Sequence, residues 1–349
     1  MLTPFSFSAY DIFRMLPQTI LRNARLMKNN PIMKKILITT ALHRESLAEL
    51  FEKFEVFMPQ DKDMKRDQVL EMISDYEVVI PNFSFFTDKE IMDRGVRLEV
   101  IANYGVGYNN IDVEYATQKG IVVTNIPKTT CEPTAELAFA LLLAAGRRIG
   151  YYDRKLREHR AVDWGVYGDA GLPIFGKTLG IIGMGRIGQA LARRAVASGM
   201  NIIYHNRNRL SPEIEERYGA SYVSFDELLR MADFISLNAP STSQTLKLIG
   251  EKEFSVMKPT AVFINTARGN MVDEKALAQA LKEKKIWAAG LDVYENEPKI
   301  SSELLVLDNV VLSPHAGTRT IEDRHRMAEE MVHNIIGFYE GKYEVSRVN

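Results

Sequence analysis

Cysteine is almost missing from this chain: Cys131 is the only one in 349 residues. An internal disulfide is therefore excluded, which suits a reducing, cytoplasmic setting. A lone thiol of this kind reads as an incidental or buried side chain more readily than as a nucleophile. Charge of one sign is missing too. Lys and Arg number 44 against 45 Asp and Glu, for a formal net charge of -1. That balance gives no footprint for nucleic acid or for an anionic membrane surface. No apolar run reaches the ~18 residues that a membrane span needs. Low-complexity segments and internal repeats are absent, and no metal is expected.

What remains is the composition of a globular protein, 46% hydrophobic and 26% charged. The length favours two domains of ordinary size. The first 32 residues stand apart. Arg14, Arg22, Arg25 and Lys28 face a single acid, Asp11, and a fresh start is visible at Met33-Lys34-Lys35-Ile36-Leu37-Ile38. This N-terminal extension reads as a translation start placed too early or a frayed tail. A basic, acid-poor targeting segment is the other reading.

Short apolar runs then alternate with helical patterns. Lys35 to Thr40, Val78 to Ile80, Leu98 to Ala102 and Ile121 to Thr124 read as buried strands, with a helix over Arg44 to Phe54. Glu132 to Arg148 reads as a strong helix joining two domains: Pro133 sits near its start and Arg147-Arg148 close it. Gly150 to Gly176 is looser, a dimer arm or a surface loop. A second series of strands follows at Lys177 to Ile182, Met200 to His205, Phe234 to Leu237, Ala261 to Asn265, Ala288 to Leu291 and Val310 to Leu312. A final amphipathic helix runs from about Thr320 to Tyr339. Strands alternating with helices imply parallel sheets covered on both faces.

The second series opens on Gly183-Met184-Gly185-Arg186-Ile187-Gly188, just after an apolar run. Gly183 permits the sharp turn, Gly185 a close backbone approach to a pyrophosphate, and Gly188 tight packing of helix on sheet. The helix N-terminus supplies free N–H groups to the anion. A dinucleotide unit usually begins its domain, so the residues before it form a separate one. At the end of the next strand stands Asn206, where an NAD-preferring site normally has an acid. Arg207 and Arg209 follow and can pair with a 2′-phosphate. NADP(H) is therefore favoured, with NAD(H) as the other cofactor.

Further down, three polar residues each follow a strand: Arg268 in Asn265-Thr266-Ala267-Arg268-Gly269, Glu297 before Pro298, and His315 in Ser313-Pro314-His315-Ala316-Gly317. The set suits carbonyl reduction. An arginine fork holds a carboxylate or polarises the adjacent carbonyl. A histidine delivers a proton to the developing alkoxide. A carboxylate beside it orients the ring and favours its protonated form. Asn103-Tyr104-Gly105-Val106-Gly107 ends the third strand of the first series, the edge where ligands bind in open sheets.

From Met33 to Lys342 these motifs, in order and spacing, resemble the D-isomer-specific 2-hydroxyacid dehydrogenases, and within them the glyoxylate/hydroxypyruvate reductases. The resemblance implies a Rossmann cofactor domain, residues 131–317, inserted into a flavodoxin-like substrate domain made of 33–130 and 318–349, both doubly wound. It implies that Arg268, Glu297 and His315 are the catalytic set. Tyr104, Val106 and Gly107 would line the substrate site, with the N–H groups of Val106 and Gly107 gripping a carboxylate. Thr134, Arg186, Ile187, Asn206, Arg207, Asn208, Asn238, Pro240, Thr245, Thr266, Ala267, Asp292, His315 and Gly317 would join the three glycines around the cofactor. The substrate would be a small 2-oxo or 2-hydroxy acid, and the assembly a homodimer. D-3-Phosphoglycerate dehydrogenase, D-lactate dehydrogenase and a dinucleotide-sensing corepressor on the same scaffold are the competing readings.

Overall fold

The structure, a computed structural model, describes residues 33–349. The N-terminal extension, with both of its readings, lies outside the described residues.

Two parallel sheets organise the molecule. The first holds β1 (Lys35–Ile38), β2 (Glu55–Phe57), β3 (Val78–Ile80), β4 (Val100–Ala102) and β5 (Val122–Thr124), in the order β2-β1-β3-β4-β5. This is the flavodoxin order. The second holds β6 (Thr178–Ile182), β7 (Asn201–His205), β8 (Ala220–Tyr222), β9 (Phe234–Leu237), β10 (Val262–Asn265), β11 (Ala288–Leu291) and β12 (Val310–Leu312). Its order, β12-β11-β10-β9-β6-β7-β8, is the Rossmann arrangement with one strand added. The fold class read from the sequence is the one observed.

Period-two alternation explains why the central strands are apolar throughout. Ile36, Ile38, Val78, Ile80, Val100 and Ala102 pack on one face of the first sheet, and Leu37, Val79 and Ile101 on the other. In the second sheet Leu179, Ile181, Val262 and Ile264 face one way, while Ile182, Ile235, Leu237 and Phe263 face the other. Burying one such side chain on each face contributes roughly 1.5–3 kcal/mol, and no polar alternation survives.

The chain passes between the sheets twice. After β5 it enters the helix Cys131–Gly146, whose Ala138, Leu141, Leu142 and Ala145 pack on the second sheet. After β12 it returns through the helix Ile321–Glu340, whose Met327, Met331, Val332 and Ile335 cover the first. Glu330 on that returning helix accepts the backbone N–H groups of Lys128 (3.0 Å) and Thr129 (2.8 Å). The two crossings are thus tied together.

Three elements differ from the expectation. The edge strands β2 and β8 have no continuous apolar run, and β2 is largely exposed. Within the stretch read as loose, Ile149–Arg157 is a helix with only Tyr151 buried. Its single buried side chain leaves no apolar stripe to read.

Candidate active site

The carboxyl ends of both sheets face one cleft, and the strand termini deliver the polar residues to it. After β6, Gly183 has φ +91, and a Cβ there would lie 2.5 Å from the Ala239 backbone nitrogen. Only glycine fits that turn. Gly185, by contrast, has open space where a Cβ would stand, and the helix Arg186–Ala197 begins directly after it. Asn206 accepts a hydrogen bond from the Met184 N–H at 2.6 Å. The side chain that replaces the usual acid thus ties the end of β7 to the glycine turn.

Farther along the same edge, two buried side-chain atoms have no partner: Asn238 Oδ1 after β9 and Thr266 Oγ1 after β10. An unsatisfied buried acceptor or hydroxyl costs about 1–3 kcal/mol, so such atoms mark places where a polar ligand completes the site. Thr134 is buried, with its Oγ 3.4 Å from the Cβ position of Gly317. Together with the open glycine turn, these features fit a dinucleotide lying across the edge of the sheet.

The substrate side is built where the first sheet meets the second. Asn103, buried after β4, donates to the carbonyls of Gly105 (3.1 Å) and Gly107 (2.8 Å). Asn125 donates to the carbonyl of Val106 at 2.8 Å. With the carbonyls taken, the N–H groups of Val106 and Gly107 have no protein acceptor among the described residues. The Arg268 guanidinium lies directly against Gly107: a Cβ on Gly107 would stand 1.7 Å from its Nη2. Among the described residues no carboxylate pairs with Arg268 within salt-bridge distance, and burial lowers its pKa while the Glu297 charge opposes that. It stays a cation, since arginine does not deprotonate in proteins. A half-buried guanidinium that donates Nη1 to the Ala267 carbonyl at 2.6 Å and has no carboxylate partner among the described residues, beside two free N–H groups, is a receptor for a carboxylate.

His315 follows β12 and Glu297 follows β11. The imidazole Nδ1 meets Glu297 Oε2 at 2.7 Å, and Glu297 Oε1 accepts the Tyr294 N–H at 3.0 Å. Both carboxylate oxygens are therefore fixed, and His315 Nε2 is left to the cleft. Burial pushes the Glu297 carboxyl up, but the His315 hydrogen bond and charge, the Tyr294 N–H and Arg268 outweigh it and hold the group below the usual carboxylate range. His315 has φ +51, a left-handed conformation uncommon for residues other than glycine. Asp292 fixes it there. Its carboxylate accepts the N–H groups of Ala316 (2.7 Å) and Gly317 (2.9 Å), while its own carbonyl accepts the His315 N–H (2.9 Å).

Gly107, Arg268, Glu297 and His315 line one cleft of about 850 Å³. One sequence expectation comes out differently, and two further residues prove to have protein partners. The Tyr104 side chain is buried in the first sheet's core, its hydroxyl donating to the Arg324 carbonyl at 2.9 Å, and it does not line the cleft. The Thr245 hydroxyl closes its own loop on Pro240 at 2.8 Å. Arg209 is bound to Glu215 through two nitrogens, each at 2.8 Å; Arg207, Asn208 and Arg209 are all exposed. Sequence reasoning missed Phe83, whose ring stacks on His315 at 5.0 Å between centroids. An aromatic run, Phe83, Phe85 and Phe86, in a loop at a strand's carboxyl end was the signal available.

The chain is similar to known proteins of one family. The family model of the D-isomer specific 2-hydroxyacid dehydrogenase NAD binding domain matches residues 139–317. A glyoxylate reductase of Thermococcus litoralis is 45% identical over 320 residues, 90% of this chain and 96% of its own. A putative 2-hydroxyacid dehydrogenase of Staphylococcus aureus is 42% identical over 89% of this chain and 98% of its own. Among solved structures, an NADPH-dependent glyoxylate/hydroxypyruvate reductase of Sinorhizobium meliloti, in complex with NADP and malonate, superposes with a TM-score of 0.79 at 33% identity. That match covers 90% of this chain and 97% of the other.

Proposed function

The chain belongs to the D-isomer-specific 2-hydroxyacid dehydrogenases, and from that premise we propose that Arg268, Glu297 and His315 are the groups with which it reduces a small 2-oxo acid of the glyoxylate or hydroxypyruvate type. It is an NAD(P)-dependent oxidoreductase. The observation that carries the residue assignment is the meeting in one cleft of the Arg268 guanidinium, the Gly107 backbone and the His315–Glu297 pair.

When bound, the pyridine nucleotide supplies the hydride. Arg268 holds the substrate carboxylate together with the N–H groups of Val106 and Gly107, and its fork polarises the neighbouring carbonyl. His315 Nε2 gives its proton to the carbonyl oxygen as negative charge develops there. Glu297 keeps the imidazole oriented and stabilises its charged form. Phe83, stacked on the ring from the first sheet, shields the proton donor and limits the room beside the reacting carbon. The division that fits this chemistry gives substrate binding to residues 33–130 and 318–349, and dinucleotide binding to 131–317.

NADPH preference is part of the proposal, and Arg207 is its reader, because Asn206 adds no negative charge and Arg207 is uncommitted to any acid among the described residues. A panel of 2-oxo acids assayed with NADPH and NADH in parallel tests both halves. Turnover should be best for glyoxylate and hydroxypyruvate, and R207A should weaken NADPH roughly tenfold while leaving NADH within about twofold. Failure to reduce either acid sinks the substrate reading, and equal losses for the two cofactors sink the phosphate reading.

We also infer a homodimer formed through the segment after Arg157. Trp164 (87% exposed), Val166 (91%), Tyr167 (92%) and Phe175 (81%) stand in solvent there, an apolar surface that monomers rarely leave uncovered. Sedimentation equilibrium should return twice the chain mass, with W164E returning the mass of one chain. A monomeric wild type would discard the inference.

A further inference from the structure

The loop after β7 carries two arginines, and the structure treats them oppositely. Arg207 is exposed and has no acidic partner among the described residues. Arg209 places Nε on Glu215 Oε1 and Nη2 on Glu215 Oε2, both at 2.8 Å. Glu215 lies on the helix Pro212–Tyr218, and its side chain is only 13% exposed against 65% for Arg209.

Glu215 is itself anchored. The hydroxyl of Tyr204, a fully buried β7 residue, donates to Glu215 Oε1 at 2.6 Å and accepts the Leu210 N–H at 2.9 Å. The loop and the helix are therefore joined through one carboxylate that cannot swing away with Arg209. Its carboxyl is held at about 2 by Arg209 and by Tyr204, so it is ionised throughout the neutral range.

We propose that Glu215 sets the cofactor specificity: by holding Arg209 it removes the second cation from the ribose 2′ position and so limits the preference for NADPH over NADH. This rests on the reading that the loop after β7 meets that end of the cofactor. A 2′-phosphate carries about -1.5 to -2 charges. One exposed arginine answers part of that. To answer the rest, Arg209 has to leave a bidentate partner, and Glu215 is then left as an uncompensated like charge beside the phosphate. NADH carries no phosphate there, so its affinity is indifferent to the clamp.

The test measures dissociation constants for NADPH, NADH and adenosine 2′,5′-bisphosphate, by titration calorimetry on the full chain without substrate. Glu215→Gln removes the charge and keeps an acceptor for the Tyr204 hydroxyl. It should tighten NADPH and the bisphosphate roughly three- to fivefold, as expected for a partly exposed ion pair, with NADH unchanged. Arg209→Ala, at an exposed position, should leave all three constants unchanged in the wild-type background and abolish the gain in the E215Q background. An unchanged NADPH to NADH ratio in E215Q overturns the proposal, as does selective loss of NADPH in R209A alone. R207A separates the two failures. If R207A is selective and E215Q is not, only the clamp is wrong. If R207A weakens both cofactors alike, the reading of Arg207 has failed on its own account.

Discussion

Replacing His315 by asparagine lowers kcat for 2-oxo acid reduction by about 10²–10⁴-fold, the usual worth of a positioned acid–base group, while the dissociation constant of NADPH stays near that of the wild type. Asparagine is chosen for a backbone reason. His315 sits at φ +51, and alanine there would add left-handed strain of order 1 kcal/mol to the loss of the imidazole. Asparagine tolerates that region, so the Asp292 clamp on Ala316 and Gly317 survives and the lost rate reports the proton. Stopped-flow turnover at saturating substrate, with cofactor titration alongside, decides the matter. A kcat within fivefold of the wild type would remove His315 from the acid–base role.

Glu297→Gln serves as the companion variant, with a smaller and pH-dependent loss. Glu297 is held below the usual carboxylate range, so it stays charged through the neutral region. A depressed carboxyl contributes stability above its unfolded pKa and loses it as pH falls through the folded value. Over neutral pH the carboxylate is therefore constant. Glutamine keeps the Tyr294 contact but removes the charge. The loss relative to the wild type then shrinks as pH falls through the lowered Glu297 range, where the wild-type carboxyl is itself protonated. A loss that stays constant with pH would make Glu297 a spacer.

The strand ends were the legible part of this site. Each catalytic candidate directly follows or closely trails an apolar run, and in a parallel sheet that alone puts it on the ligand-binding edge. The glycine turn and the Arg268, Glu297 and His315 motifs are local in sequence, so they could be read without knowing the strand order. What was not legible depended on partners that only the folded chain brings together. Tyr104 lies one residue from Asn103, yet its side chain turns into the core to reach Arg324, 220 residues away. Arg209 looked equivalent to Arg207 until the helix after it brought Glu215 within reach. Phe83 stacks on a histidine more than two hundred residues later, and its exposure gave it no place in a core pattern. Edge strands β2 and β8 were lost for a related reason: a strand covered on one side only carries too few apolar residues to stand out.

Gly107 is where the two sheets' contributions touch, and changing it to alanine should be the most damaging of the conservative substitutions. The added Cβ would lie 1.7 Å from Arg268 Nη2 and 2.8 Å from Cζ, well inside contact distance. The guanidinium is the far end of a flexible side chain, so it moves and the fold holds. The shift needed to restore ordinary contact is roughly 1.5–2 Å, and a misplacement of about 1 Å in a positioning group already costs about 10²-fold. We expect kcat/KM for glyoxylate to fall by about 10²–10³-fold, with the melting temperature within a few degrees and cofactor affinity unchanged. Arg268→Lys should fall in the same range for a different reason, since it keeps the charge and loses the fork. If G107A retains kcat/KM within threefold, Arg268 does not work from the position it holds against Gly107. The carboxylate receptor would then have to be sought elsewhere along the cleft.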